Sequence, residues 1–564
     1  MTDFINSFFT KNKTSLIFFL IFGCVCGAFF RYEFAWWDAV NYHYYNPWAF
    51  LNNRLNTDIV PAVANTFFSP FIDFPYYFLV NAFDNHPVLF CAIMAVPYGL
   101  LLFFAYKITS LFFPSDTTQG RIRIGLALLL CVCSETVFFQ ICSCSHEHLM
   151  SLMILAAFYP LLKSFFNKTF EMKTFMVSGF VLGAAAGLKL SYAPYAAATG
   201  LTLIFFYKRL DNPVGNIVAF TLCGTAGFLI AYGYWGWILW KNYGNPFFPF
   251  FNSIFKSPYW TGADYKDIRY FDKPWITVLF YPFFLFWNLG RHLPLQHWFV
   301  LSNFRLVVGG IFFFRAAADI LKAGKNGRKE HKDALLHLLM FWMAVVYIIW
   351  LCLFRVYRYM IPFELLLSIV LIRFIFAKRE ITSDDKRMYG LLFFVAFMMS
   401  SMFSNYGRYY VWPVDRQLIP TKPAALSRDT LLIVKKIPGA IFVPFLAKDE
   451  TVRAVIDPDL RKVYNGSNFY ATGRFAEKRD KLIREHKKQN KPVVYLSGKD
   501  PCYLRSELIV FGARFTLCRP TDSFYYKPSV PINIWLDKTE FFIQNKEKFE
   551  RNYRYVGSSG TVTR

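Results

Sequence analysis

Acidic residues are scarce in this chain. Asp and Glu number 37 against 62 Lys and Arg, a formal net charge of +25 over 564 residues. A basic balance of that size needs a destination. Motifs that would narrow the function are missing as well. No CxxC…CxxC pattern occurs, which argues against a thiolate zinc site. No glycine-rich phosphate loop follows any strand-like run, so nucleotide binding has no support. There is no repeat of solenoid period, no low-complexity segment and no pair of matched halves of the transporter kind. A small-x-small cleavage site is also missing after the first apolar run. With Lys11 and Lys13 before it, that run reads as an uncleaved signal anchor whose N-terminus is cytoplasmic.

Apolar residues, by contrast, are abundant. The chain is 55% hydrophobic and 20% aromatic, with 67 Phe. A soluble protein cannot hide that much apolar surface, so the expected class is a predominantly α-helical, polytopic membrane protein. Apolar runs predict eleven spans, near 15–30, 88–106, 123–141, 149–165, 174–189, 191–207, 216–239, 305–321, 334–353, 360–377 and 388–403. Basic clusters fall between them: Lys163/Lys168/Lys173, Lys208/Arg209, Lys322/Lys325/Arg328/Lys329/Lys332 and Lys378/Arg379/Lys386/Arg387. The positive-inside rule places these as cytoplasmic loops. Topology and anionic membrane lipid thus account for the charge better than nucleic acid does. An odd number of spans starting inside leaves the C-terminal tail periplasmic. Were 275–290 (WITVLFYPFFLFWNLG) to span fully, the Lys-rich loop at 322–332 would move outside. That run is therefore read as re-entrant or interfacial.

Residues 1–403 form the expected transmembrane domain, with a long first outer loop at 31–86. From 404 the apolar runs shorten to AIFVPF, PVVYLS, RFTLC and INIWL, around a charged helical stretch, FAEKRDKLIREHKKQ. That alternation predicts a soluble periplasmic α/β domain over 404–564. Of the eleven cysteines, nine lie in or beside apolar runs, where they read as small apolar side chains. Cys502 and Cys518 lie in the tail and are a candidate disulfide in an oxidising compartment.

Four polar constellations stand out against the apolar background. The first loop reads RYEFAWWDAVNYHYYNPWAFLNNRL. In a helix, Asp38, Tyr42 and Tyr45 fall on one face at i, i+4 and i+7. A carboxylate there suits a general base, and the rings suit sugar faces. The outer turn CSCSHEHLM brings His146, Glu147 and His148, while Glu135 is placed inside span 3. Lys189, in GAAAGLKLSYAPY, sits at the outer end of a span, where it can snorkel or hold a phosphate. Arg355 and Arg358, in FRVYRYMIPFELL, lie in an outer turn where cations suit an anionic leaving group. Tyr42, His43, Tyr45, His146 and Tyr357 are the candidate substrate contacts. A further segment, YGNPFFPFFNSIFKSPYW, reads as surface-hugging, lining a groove or purely structural.

Taken in order, these pieces resemble the bacterial multi-pass glycosyltransferases of the GT-C superfamily, over most of residues 15–370. The resemblance implies a donor sugar on polyprenyl phosphate and a glycan, lipid or protein acceptor at the inner membrane's outer face. Asp38 then takes the catalytic role in inverting transfer, with Glu147 as the second acidic position. Lys189, Arg355 and Arg358 hold the donor phosphate. No cofactor is required by the resemblance; a divalent cation, Mg or Mn, is left open. The rival readings are a lipid-linked glycan polymerase or ligase and a flippase-type transporter. The position of the polar loop after span 1 disfavours the former, and the lack of matched halves the latter.

Overall fold

The structure is a computed structural model of the chain. It describes residues 2–29, 38–260, 264–265, 331–376, 380–382, 385–392, 395, 425–434, 439–457, 473–497, 502–510 and 513–520. The expected span at 305–321, most of that at 388–403, the ambiguous run at 275–290 and the INIWL strand lie outside the described residues. The described residues are predominantly helical, with one sheet near the C-terminus.

Among the described residues, six helices are long and apolar enough to cross a membrane: Asn12–Phe29, Pro87–Phe112, Glu147–Asn167, Pro213–Tyr243, Ala334–Leu353 and Tyr357–Phe376. By length and composition this is a membrane protein with multiple helical spans. Three other expected spans appear as shorter helices, Thr118–Val132, Met172–Leu188 and Ala193–Phe205. The run at 123–141 is not one helix. It stops at Val132, and a new helix begins at Glu135 with Ser134 as its N-cap, its hydroxyl accepting from Val137 N. Glu135 therefore opens a short second helix instead of sitting inside a span.

The chain divides into two compact units. One comprises Met1–Phe30, Cys91–Trp237 and Asp267–Tyr410; the other comprises Arg31–Phe90, Ile238–Lys266 and Val411–Arg564. In the helical unit, small residues let backbones touch. A Cβ on Gly183 would lie 1.9 Å from Gly224 O, and one on Gly99 would lie 2.2 Å from Phe19 O. Such close approach is how helices associate where lipid removes the hydrophobic drive between them. The Pro213–Tyr243 helix leaves Val214, Leu222, Leu229, Ile230, Trp237 and Trp240 exposed. Each large apolar side chain left in water forgoes about 1.5–3 kcal/mol of burial, whereas against acyl chains it forgoes little. Inside the unit, Trp342 stacks on Phe158 at 4.3 Å and donates its indole N–H to Thr199 Oγ1 at 2.9 Å.

Among the described residues, the other unit is built on a five-stranded sheet. Its strands are β1 (Leu431–Val434), β2 (Arg453–Ile456), β3 (Val493–Ser497), β4 (Cys502–Val510) and β5 (Ala513–Pro520). Their order is β2-β1-β3-β5-β4: β1 runs parallel to β2 and β3, and β5 antiparallel to β3 and β4. All of β1 is buried, as an uninterrupted LLIV run in a parallel core strand should be. PVVYLS and RFTLC are strands as expected. AIFVPF is not: it forms helical turns, Ala440–Phe442 and Val443–Leu446. Pro444 lacks the amide a central strand needs and suits a first helical turn. The charged stretch forms the helix Gly473–Lys488, which buries Phe475, Ala476, Arg479, Leu482 and His486 on one stripe.

Residues of the first loop belong to this second unit and cover the β2 edge. Ile59 bridges Val455, its amide donating to Ala454 O at 2.8 Å while its carbonyl accepts from Ile456 N at 3.0 Å. An open strand edge is a template for unwanted pairing, and a short added bridge closes it. The YGNPFFPFF segment is also part of this unit's core. Asn245 is fully buried, its side chain bonding Phe247 N and Phe250 O. Phe248 joins Phe67, Tyr243 and Phe475 in an aromatic cluster.

Candidate functional site

In the helical unit, polar side chains converge on one carboxylate. Glu147 is the first residue of the Glu147–Asn167 helix. It is placed there by a tight turn in which Cys142 and His146 adopt left-handed backbone, with φ of 63° and 59°. Ser143 and Ser145 hydroxyls hold that turn together at 2.8 Å, and Ser145 also bonds the Gln140 side chain. An anionic side chain is favoured at a helix N-terminus, where unpaired amides carry partial positive charge.

Lys189 follows the Met172–Leu188 helix as its C-cap in extended backbone. Its Nζ donates to Glu147 Oε1 at 2.7 Å and to Ser145 O at 2.8 Å. Arg358 comes from the 3-10 turn Tyr357–Met360, and its Nε lies 3.3 Å from the same Oε1. Tyr192, three residues after Lys189, donates its hydroxyl to Oε2 at 2.7 Å. The Tyr359 ring lies 5.3 Å from Lys189 Nζ and 5.6 Å from the Arg358 guanidinium. Tyr195 fixes that turn by donating to Tyr359 O at 2.6 Å.

The burial is uneven. The Glu147 side chain is 0% exposed, while Lys189 and Arg358 are 18% and 24% exposed. With all three ionised the cluster carries one net positive charge, and its accessible side is cationic. Such a site can hold an oxyanion against Lys189 and Arg358. It does not suit a divalent cation, because two cations already occupy Glu147 Oε1.

Three of the residues singled out in the sequence, Glu147, Lys189 and Arg358, are thus brought together. Arg355 has a different position: it stands in left-handed backbone, φ 54°, and its Nε donates to Leu351 O at 2.8 Å, capping the preceding helix. His146 and Tyr357 are buried in the same unit. Tyr192 and Tyr359 were not singled out, although both lie in the quoted segments. The one available signal was the three-residue step from Lys189 to Tyr192. A second buried acid, Glu364, accepts from Ser134 Oγ at 2.6 Å.

Asp38, Tyr42, His43 and Tyr45 belong to the other unit, and all four are buried. They do not form the regular helical face expected. A π-helical turn, Ala39–His43, separates Asp38 from the Tyr45–Leu51 helix and breaks the i, i+4, i+7 spacing. His43 Nδ1 lies 2.7 Å from Asp73 Oδ1, an acid the sequence reading passed over. Tyr45 donates its hydroxyl to Asp58 Oδ2 at 2.9 Å. Asp58 also takes Arg54, at 2.7 and 3.2 Å, and Ala454 N at 2.9 Å. Arg54 in turn donates to Val452 O and to Glu450 O. Burial raises the Asp58 carboxyl above its ordinary value, while Arg54, Ala454 N and Tyr45 pull the other way. Burial, and then the neighbouring Asp58, push the Tyr45 hydroxyl well above its ordinary value.

Side chains of β4 and β5 lie outside the description, so the Cys502–Cys518 disulfide does too. The register sets Cys502 opposite Pro520 and Cys518 opposite Arg505. No protein-family model, no curated protein and no solved structure matches this chain.

Proposed function

We propose that this protein is an inverting glycosyltransferase that takes a sugar from a polyprenyl-phosphate donor at the membrane surface. The observation that carries this reading is the convergence of Lys189 and Arg358 on a buried carboxylate at the ends of apolar helices. An accessible cationic site beside membrane-spanning segments fits a phosphate whose carrier lies in lipid. Charge stabilisation of a departing phosphate is the work such cations do best. Tyr192 and Tyr359 frame the site with rings suited to a sugar face. Glu147 takes an orienting role here, since its oxygens are engaged by Lys189, Arg358 and Tyr192.

Asp38 remains the proposed base on the acceptor hydroxyl, as the resemblance implies. Burial of this residue, at 8% exposure, is compatible with a group shielded from bulk water. The acceptor would be a periplasmic glycan, lipid or protein, and the configuration at the anomeric carbon would invert. No step is assigned to a metal. The test is transfer of a radiolabelled sugar from a polyprenyl-phosphate donor by the full-length protein in membranes. Asp38→Asn is expected to lose about 10²–10⁴-fold in rate, the usual contribution of a general base. Wild-type transfer by Asp38→Asn, or by Lys189→Met with Arg358→Met, would remove the reading.

A further inference from the structure

We infer that the Glu147 carboxylate is an internal stand-in for the substrate phosphate, competing with it for Lys189 and Arg358. The inference rests on the phosphate reading of this site and adds a regulatory role for the acid within it. A purely catalytic acid would not need to absorb both cations. Here Lys189 Nζ and Arg358 Nε meet on the same oxygen, Oε1, at 2.7 and 3.3 Å. Lys189 hydrogen-bonds that oxygen and Arg358 pairs with it by charge, which is the position a phosphate oxygen would take between two cations.

The other oxygen gives the carboxylate somewhere to stay when it loses those partners. Oε2 is held by the Tyr192 hydroxyl at 2.7 Å, and the residue begins a 21-residue helix whose N-terminus favours negative charge. The exposure pattern sets the order of encounter. The Lys189 and Arg358 side chains are partly exposed and that of Glu147 is not, so an arriving anion meets the cations first. The cations can turn outward to the phosphate while Glu147 keeps Tyr192.

Two consequences follow. Without substrate, the carboxylate keeps Lys189 and Arg358 satisfied and in place, so little reorganisation is needed on binding. After transfer it competes with the phosphate left on the lipid carrier and speeds its release. Removing the negative charge raises the cluster from one net positive charge to two, so phosphate should bind more tightly and leave more slowly.

The experiment titrates purified full-length protein in detergent with farnesyl phosphate and, in parallel, with inorganic phosphate, by calorimetry. Glu147→Gln is expected to bind both probes about tenfold more tightly than wild type, equivalent to about 1.4 kcal/mol. Unchanged or weaker binding by Glu147→Gln overturns the inference. If that variant does not fold, Glu147→Asp decides: its shorter reach loosens the hold on Lys189, so tighter binding supports the inference and unchanged or weaker binding overturns it. Tightening seen only with farnesyl phosphate would assign the effect to the lipid chain and also overturn it. The double variant Lys189→Met with Arg358→Met separates the two levels. Its retention of wild-type phosphate binding removes the phosphate reading itself. Its loss of binding, together with unchanged affinity in Glu147→Gln, removes only the stand-in.

Discussion

Two buried carboxylates in this protein share a type of partner set and differ in what remains open. Asp58, in the sheet-containing unit, faces one arginine, one tyrosine hydroxyl and one backbone amide. Glu147, in the helical unit, faces a lysine, an arginine and a tyrosine hydroxyl. The Arg54–Asp58 pair is closed, with side chains 4% and 1% exposed, and its charges cancel. Around Glu147 the charges do not cancel, and the surplus cation faces an accessible side. A closed, neutral pair joins parts of the chain. An open cluster with surplus charge can accept an anion from outside.

That contrast is strongest in what a single truncation should do. Arg54→Met leaves Asp58 buried without its cation and frees the Val452 and Glu450 carbonyls. Breaking a buried pair from one side typically costs about 3–5 kcal/mol, so its thermal unfolding midpoint should fall further than that of any substitution around Glu147. Replacing both partners, Arg54→Met with Asp58→Leu, should recover much of that loss. Failure to recover any would show that the pair's specific geometry is needed.

Lys189→Met should separate function from stability. Arg358 and Tyr192 still hold Glu147, so the unfolding midpoint should move less than in Arg54→Met. Sugar transfer should fall by about 10²–10³-fold, the effect of removing one donor to developing charge. A large stability loss with little rate loss would make the two clusters alike.

The matched tyrosines give a finer comparison. Each donates one hydroxyl to a buried carboxylate, a bond worth about 1.5–3 kcal/mol when the acceptor is charged. Tyr45→Phe should express that loss in stability. Tyr192→Phe should express part of it in phosphate affinity, read by the same calorimetric titration.

Acid sensitivity has the smallest expected effect. Asp58 has a raised pKa in the folded state, so its contribution falls as pH rises through that raised value. Asp449, half-buried and bonded by Thr451 and then Arg428, has its pKa lowered to about 2. Its contribution is present above the ordinary 3.8 and is lost as pH falls towards 2. Asp449→Asn should therefore flatten the unfolding midpoint slightly between those values, and Asp58→Asn should remove a slope of the opposite sign at pH above 3.8. Curves of the same sign would contradict this account of the two environments.

Much of this was legible before any fold was seen. Apolar runs of about 20 residues announce helices because only a helix satisfies the backbone of a single segment in lipid. The strand character of PVVYLS and the helix over 473–488 followed from local pattern. AIFVPF misled, because its apolar residues suit a strand while Pro444 suits a helical turn. LLIV and RAVI are not among the expected strands, yet burial within a parallel sheet makes four residues enough. Glu147, Lys189 and Arg358 stood out individually, as charged groups at the ends of apolar runs are rare. Asp58, Asp73 and Tyr192 did not, because each is an ordinary residue in its own segment.

The sequence by itself determined the class of environment: composition and run length demand lipid, and polar residues at run ends mark where chemistry can occur. Only the tertiary structure decided which of those residues are partners. Lys189 and Glu147 are 42 positions apart, and Arg358 lies far beyond both. A local pattern reports the free energy of burying its own segment. It does not report which distant charge completes a pair, because that depends on helix ends meeting in three dimensions. The same holds for Ile59, whose place on the β2 edge exists only once the sheet has formed.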